Sequence, residues 1–292
     1  MRSRSVFGFD VFILLSTVLL IVIGVLFIYS SGVTSEGEVF SQEYVRQIIW
    51  ACSGLVLLVG VSILDYRLIQ ARTVYIYGAL LLLLVATLLF GRVVNGARSW
   101  IGIGELGVQP SEFAKLATIL FLADRLERMG TSIRRLGRFL IGLGIALVPS
   151  MLTLIQPDLG TAVVFIPIFL LMAFVAGARL RHIMFVVFVG ALSMSFAVLP
   201  AWQKHIRGED LTLARLFTDT QLISYSTVAL TLVLLLSAIG YVVLKRQYFY
   251  WMLYGFSVVL LSYLASIAAR MVLEDYQIMR LIVFLKPEVD PR

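Results

Sequence analysis

Charge is scarce in this chain. Asp, Glu, Lys and Arg make up 14% of its 292 residues, where a soluble domain carries about a quarter. Cysteine occurs once, at Cys52, so no intramolecular disulfide can form. Histidine occurs twice, at His182 and His205, too far apart in sequence to form a metal-ligand cluster. There is no phosphate-binding P-loop, no Gly-x-Gly-x-x-Gly after a strand and no Gly-x-Ser-x-Gly elbow. Those absences remove the nucleotide-binding and serine-hydrolase readings. The net charge of +7 does not call for nucleic acid, because basic loops that set membrane orientation account for such an excess.

What the chain has instead is apolar length. Hydrophobic residues reach 60% and mean hydropathy is +0.98. A helix needs about 20 residues to cross the hydrocarbon of a bilayer, and apolar blocks of that order recur. They show no period-2 alternation, so helices rather than a barrel satisfy the backbone in lipid. The fold class expected is all-α, a polytopic transmembrane bundle of nine spans near 9–30, 46–64, 74–91, 112–124, 139–156, 160–177, 182–200, 222–244 and 248–270. The first block is longer than a signal peptide's apolar core and no small-x-small cleavage site follows, so it reads as a retained span.

The short loops "MRSRS", "DYRLIQAR", "DRLERMGTSIRRLGR", "ARLRH" and "LKRQ" are densely basic and alternate with the other set. The amino terminus is therefore expected in the cytoplasm. Residues 92–111, the "QPDLG" loop, the segment 201–221 and the tail from Arg270 then face outward. Residues 203–219 read as an interfacial helix with Leu211, Leu213 and Leu216 buried.

Three outward stretches carry polar groups that an apolar chain has reason to avoid. In "QPSEFAK", Pro110 suits the first turn of a helix, and Ser111 and Glu112 complement its positive end. Lys115 follows Glu112 at i,i+3 on the same face. An ion pair at a helix start explains these residues blandly. Lys115 nevertheless falls about a turn inside the span, where an ionisable group is costly unless it faces protein, water or a ligand. The preceding "GARSWIGIGELG" is too glycine-rich to cross and reads as a re-entrant or interfacial segment near 92–111. Trp100 there is either an interfacial anchor or, with Arg98, the lining of a mouth that grips an anionic head group. In "QPDLGT", Asp158 is a helix N-cap or a site residue. In "DYQIMRLIVFLKPEVDP", Arg280 and several carboxylates flank an apolar run. The default is a solvated acidic loop. Packed against the bundle, a carboxylate there acquires a raised pKa, as a general base requires.

Taken in order, "GARSWIGIGELGVQPSEFAK", "QPDLGTA" and "DYQIMRLIVFLKPEVDP" resemble the signatures of the SEDS family of bacterial cell-wall proteins, its elongation-type (RodA-type) branch more than its division-type (FtsW) branch. The resemblance implies a multi-pass protein of the bacterial cytoplasmic membrane. It implies a peptidoglycan glycosyltransferase that polymerises lipid II, an undecaprenyl diphosphate-linked disaccharide-pentapeptide, alongside a class B penicillin-binding protein. It implies Asp290 as the catalytic acidic residue, with Arg98, Trp100, Glu112, Lys115, Asp158 and Arg280 lining the same outward cavity. The chain departs from the family in two respects. Residues 201–272 of the single domain 1–292 read as an insertion with two extra spans, and the glycine-rich sequence and further spans that end the family pattern are absent. A C-terminally truncated form is the expectation.

The implied chemistry suits these residue types. Asp290 would take the proton of the acceptor hydroxyl, while Arg98, Lys115 or Arg280 offsets charge on the departing diphosphate. No metal-ligand set is legible, although a divalent cation such as Mg²⁺ suits a diphosphate. A lipid II transporter is the rival reading. It predicts ionisable residues near the bilayer midplane, whereas here the charges cluster outside or one turn deep. A non-catalytic scaffold for the penicillin-binding protein is the third.

Overall fold

The computed structural model describes residues 11–33, 42–94, 96–103, 106–202 and 212–272. The chain divides into two compact units, residues 1–71 and 72–292.

The first unit holds two long apolar helices, α1 (Val11–Ser31) and α2 (Glu43–Ile63), and the short α3 (Tyr66–Gln70). None of the three buries a residue, which suits helices whose side chains are solvated by lipid. Tyr29 meets Tyr44 edge-on at 5.2 Å. At the start of α2, Arg46 pairs with Glu43 at 2.5 Å. Asp65 caps α3 by accepting from the Arg67 backbone N–H at 2.9 Å.

The second unit is built on α4 (Thr73–Phe90), α5 (Pro110–Met129), α6 (Leu136–Ile155), α7 (Leu159–Val175), α8 (Leu180–Trp202), α9 (Thr212–Thr218), α10 (Thr220–Leu244) and α11 (Gln247–Val272). All nine expected spans are present as helices, with ends moved by a few residues. Among the described residues seven helices are long and apolar enough to cross a membrane, and α7 is a shorter apolar helix. The ninth, α5, carries charge in its end turns but none between Leu116 and Ala123. Of the interfacial helix expected over 203–219, only α9 lies within the described residues, and its Phe217 is buried against Phe196 and Tyr263.

Short connections make consecutive helices antiparallel, so one end of the α4–α8 bundle gathers the α4, α6 and α8 C-termini and the α5 and α7 N-termini. Helix α5 packs on α4, α6 and α7. Its buried positions Ser111, Ala114, Thr118, Phe121 and Leu122 recur at helical spacing.

Lipid tails are as apolar as the helices, so packing contacts and polar links hold such a bundle together. One link follows directly from the sequence. Pro149 inside α6 has no N–H, which removes the intrahelical donor to the Ile145 carbonyl four residues earlier. The Tyr77 hydroxyl donates to that carbonyl at 2.7 Å and ties α4 to α6. Ser150 likewise donates to the Ala162 carbonyl of α7 at 2.8 Å.

Between α4 and α5 the chain forms a three-stranded antiparallel sheet, β1 (Arg92–Val94), β2 (Ala97–Ile103) and β3 (Leu106–Val108), in the order β1-β2-β3. The sequence reading has this stretch as a re-entrant or interfacial segment and does not foresee strands. Asn95-Gly96 between two apolar-alternating runs is the overlooked signal, because that dipeptide favours a two-residue hairpin turn. Gly96 takes the positive φ, 84°, that such a turn needs.

Candidate functional site at the sheet-bearing end of the second unit

The sheet lies beside α4 and α5, with β2 touching both helices. Successive strand residues point to opposite faces, and Ser99 is buried while Arg98 is exposed. At Ser99 the register slips, so Arg98 stands opposite Val93 and Trp100 opposite Arg92, the irregularity that a bulge produces. Trp100 is half-buried and lies over β3. A Cβ on Gly107 would sit 2.9 Å from the Trp100 ring, so glycine is what lets the indole lie flat there.

Helix α5 starts as its sequence dictates, with Pro110 in the first turn. The residue before it, Gln109, does not cap the helix with its side chain. Its amide reaches across to the α6–α7 loop and donates to Asp158 Oδ2 at 2.5 Å. The other carboxylate oxygen of Asp158 accepts from the Thr161 backbone N–H at 3.1 Å, capping α7. Asp158 therefore caps one helix and ties down the approach to another.

Lys115 donates to Glu112 at 2.8 Å. Its side chain is 21% exposed against 53% for Glu112, so the pair runs from a half-buried ammonium to a solvated carboxylate. Among the described residues no hydrogen bond or ion pair joins Arg98 or Trp100 to Glu112, Lys115 or Asp158. The sheet brings them to the same end of the bundle without locking them together. Arg280 and Asp290 lie outside the described residues, as do Leu211 and the acidic tail.

Two glutamines complete the site, and sequence reading passed over them. Gln156 is 1% exposed and donates to the Leu84 carbonyl at 2.9 Å, while its own Oε1 is buried without a partner. Ser111 is fully buried one turn above Ala114, and its Oγ also has no partner. Buried polar atoms are normally paired, so two such atoms at one end of the bundle mark unspent hydrogen-bonding capacity. The signal was legible as a repeat: "QPS" and "QPD" each set a glutamine before a proline at a helix start. A primary amide donates and accepts without the cost of burying a charge.

This end carries both signs of charge. The N-termini of α5 and α7 direct their positive ends here and the C-termini of α4, α6 and α8 their negative ones, while Lys115 and Arg98 share it with Glu112 and Asp158. Among the described residues no group of three or more His, Cys, Asp or Glu is placed to hold a metal ion.

The chain as a whole is similar to known proteins. The peptidoglycan glycosyltransferase RodA of Treponema pallidum is 47% identical over 291 residues, covering the whole of this chain and 67% of that protein. That match runs through residues 201–272, so the segment with α10 and α11 is shared with this relative. The stage V sporulation protein E of Bacillus subtilis is 34% identical over 198 residues, 66% of this chain and 54% of that protein. The chain thus spans between half and two thirds of the length of these relatives. A crystal structure of a variant of the rod shape determining protein RodA from Thermus thermophilus matches with a TM-score of 0.56 and 25% identity, over 96% of this chain and 86% of that one. With residues 11–217 matching the model of the FtsW/RodA/SpoVE cell cycle proteins, this multi-pass membrane chain belongs to that family.

Proposed function

We infer that the chain is a peptidoglycan glycosyltransferase that polymerises lipid II at the outer face of the cytoplasmic membrane, in cell elongation and shape control. The observation that carries this reading is the half-buried Lys115. It sits one turn inside α5, at the end where Asp158, two helix N-termini and Arg98 gather. Ionisable groups at that depth are rarely structural.

In the reaction a sugar hydroxyl of the acceptor attacks the anomeric carbon of the donor. The new glycosidic bond forms as the bond from that carbon to the diphosphate oxygen breaks. The hydroxyl proton passes to the Asp290 carboxylate, and the prenyl diphosphate leaves with the bonding electron pair. Lys115, parked on Glu112 when no substrate is bound, turns to the departing diphosphate as a point charge. Arg98 and Arg280 offer guanidinium forks to its oxygens. A divalent cation such as Mg²⁺ shares that charge if it binds with the substrate. Trp100 covers the mouth at the level of the head groups. A class B penicillin-binding protein crosslinks the product.

The test is polymerisation of lipid II by the purified chain, read as glycan length on a gel. Activity in the parent, and its loss in Asp290→Asn with folding intact, supports the reading. Undiminished activity in Asp290→Asn removes the base from Asp290. Transfer of lipid II across sealed vesicles with no polymer formed returns the site to a transporter. Retention of the penicillin-binding protein with neither activity leaves a scaffold.

A further inference from the structure

The opposite end of the second unit holds a feature that glycan synthesis does not use. A groove of about 850 Å³ opens between α6, α8 and α11. Its walls are apolar, with Leu140, Leu143 and Leu147 from α6, Val189 from α8 and Leu261 from α11. Its rim is cationic: Arg179 and Arg181 are exposed there and His182 stands beside them. None of the described residues lining it is acidic.

Three details make this rim a built one. Arg181 Nη1 donates to the Tyr250 hydroxyl at 3.2 Å, and the Tyr254 hydroxyl donates to the Arg181 carbonyl at 3.0 Å. Two α11 tyrosines thus hold the arginine at the groove mouth, leaving guanidinium N–H groups free to donate. The His182 Nδ1 is buried with no hydrogen-bond partner. Thirdly, the lining runs along α11 from Tyr250 to Leu261, about 16 Å at helical rise, which is about half of a hydrocarbon core roughly 30 Å thick. The groove is as deep as one leaflet.

We propose that this groove holds an anionic glycerophospholipid of the leaflet at the basic end, one acyl chain between α6, α8 and α11 and the phosphate on Arg179 and Arg181. His182 Nδ1 then gains its missing partner in the phosphate or glycerol-ester oxygens. A basic pocket between transmembrane helices is the expected seat for such a head group. A prenyl chain long enough to cross both leaflets overruns a groove of this depth. Helix α11 thereby supplies one wall and both tyrosines of a resident-lipid site, remote from the sheet-bearing end.

The experiment is native mass spectrometry of the purified 292-residue chain, titrated with phosphatidylglycerol, phosphatidylethanolamine and undecaprenyl diphosphate in turn. Phosphatidylglycerol is expected to be retained at least tenfold better than phosphatidylethanolamine. Arg179→Gln with Arg181→Gln should abolish that preference, and Leu147→Trp should displace the lipid while leaving the arginines in place. Thermal unfolding of each variant checks that it is folded. Equal retention of the two phospholipids overturns the proposal. So does stronger retention of undecaprenyl diphosphate, or a phosphatidylglycerol preference that survives both variants.

Discussion

The two halves of the α4–α8 bundle are packed on different principles. Toward the basic end, Leu122, Leu126, Ile133, Phe139, Ala146, Phe169, Ala173 and Ile183 form one apolar cluster. Toward the sheet, the corresponding cluster shrinks to Leu84, Ala114 and Phe165. Around it Thr87, Ser111, Thr118, Thr153 and Gln156 are all buried. Thr118 and Thr153 satisfy themselves on the carbonyls four residues back, at 2.7 and 2.8 Å. Ser111 and Gln156 retain unpaired atoms. The basic end has its own unpaired atom, His182 Nδ1 at the groove, but the half toward the sheet keeps more polar capacity in its interior, at a cost in stability, as functional sites do. Membrane helices gain little from burying one more leucine, since lipid offers the same surroundings. The polar half is therefore not merely a poorer core.

That contrast can be broken by substitution, and the largest effect belongs to the apolar half. Phe169→Ala removes a fully buried ring that meets Phe139 at 5.1 Å and should cost about 3 kcal/mol of stability. Thermal unfolding in detergent reads this, and a cost below that of any change in the polar half would erase the distinction. Lys115→Met is expected to leave unfolding nearly unchanged and to lower lipid II polymerisation by about a hundredfold, the size of effect seen when one charge-stabilising donor is lost. Equal activity would make Lys115 a snorkelling residue. Gln156→Leu takes the side-chain donor from the Leu84 carbonyl and should destabilise by about 1–2 kcal/mol, measured in the same unfolding assay. Asp158→Asn keeps a capping oxygen but replaces the charged acceptor of the Gln109 amide, for about 1 kcal/mol. The smallest effect is the most discriminating. Ser111→Ala deletes a buried hydroxyl with no partner, so stability should stay level or rise by up to about 1 kcal/mol while polymerisation falls. A loss of stability there would mean that the hydroxyl is structural.

Much of the fold was readable from residue order alone. Among the described residues, the helices at the nine expected spans follow from apolar block length, and Pro110, Glu112 and Asp158 stand at the helix starts their chemistry predicts. The candidate site was readable in pieces. Lys115 was conspicuous because a charge inside an apolar run has few innocent explanations. Gln109 and Gln156 were not, because an uncharged amide beside a proline has many. The sheet escaped for a related reason: a glycine-rich segment between two spans is first read as something that fails to be a helix, and the hairpin signal of the Asn95-Gly96 dipeptide was hidden in that reading.

By itself the sequence determined how many times the chain can be helical across an apolar layer, and where each helix may start. That information is local, set by segment length, capping groups and the cost of an unpaired backbone in lipid. Only the tertiary structure decided which polar groups meet. Gln109 reaches Asp158 from 49 residues away, and Gln156 reaches Leu84 from 72. Tyr250 and Tyr254 hold Arg181 at the mouth of a groove that no one helix contains. Such pairings depend on how helices rotate about their axes when they pack, and that rotation is settled by the fit of whole faces rather than by any one stretch of residues.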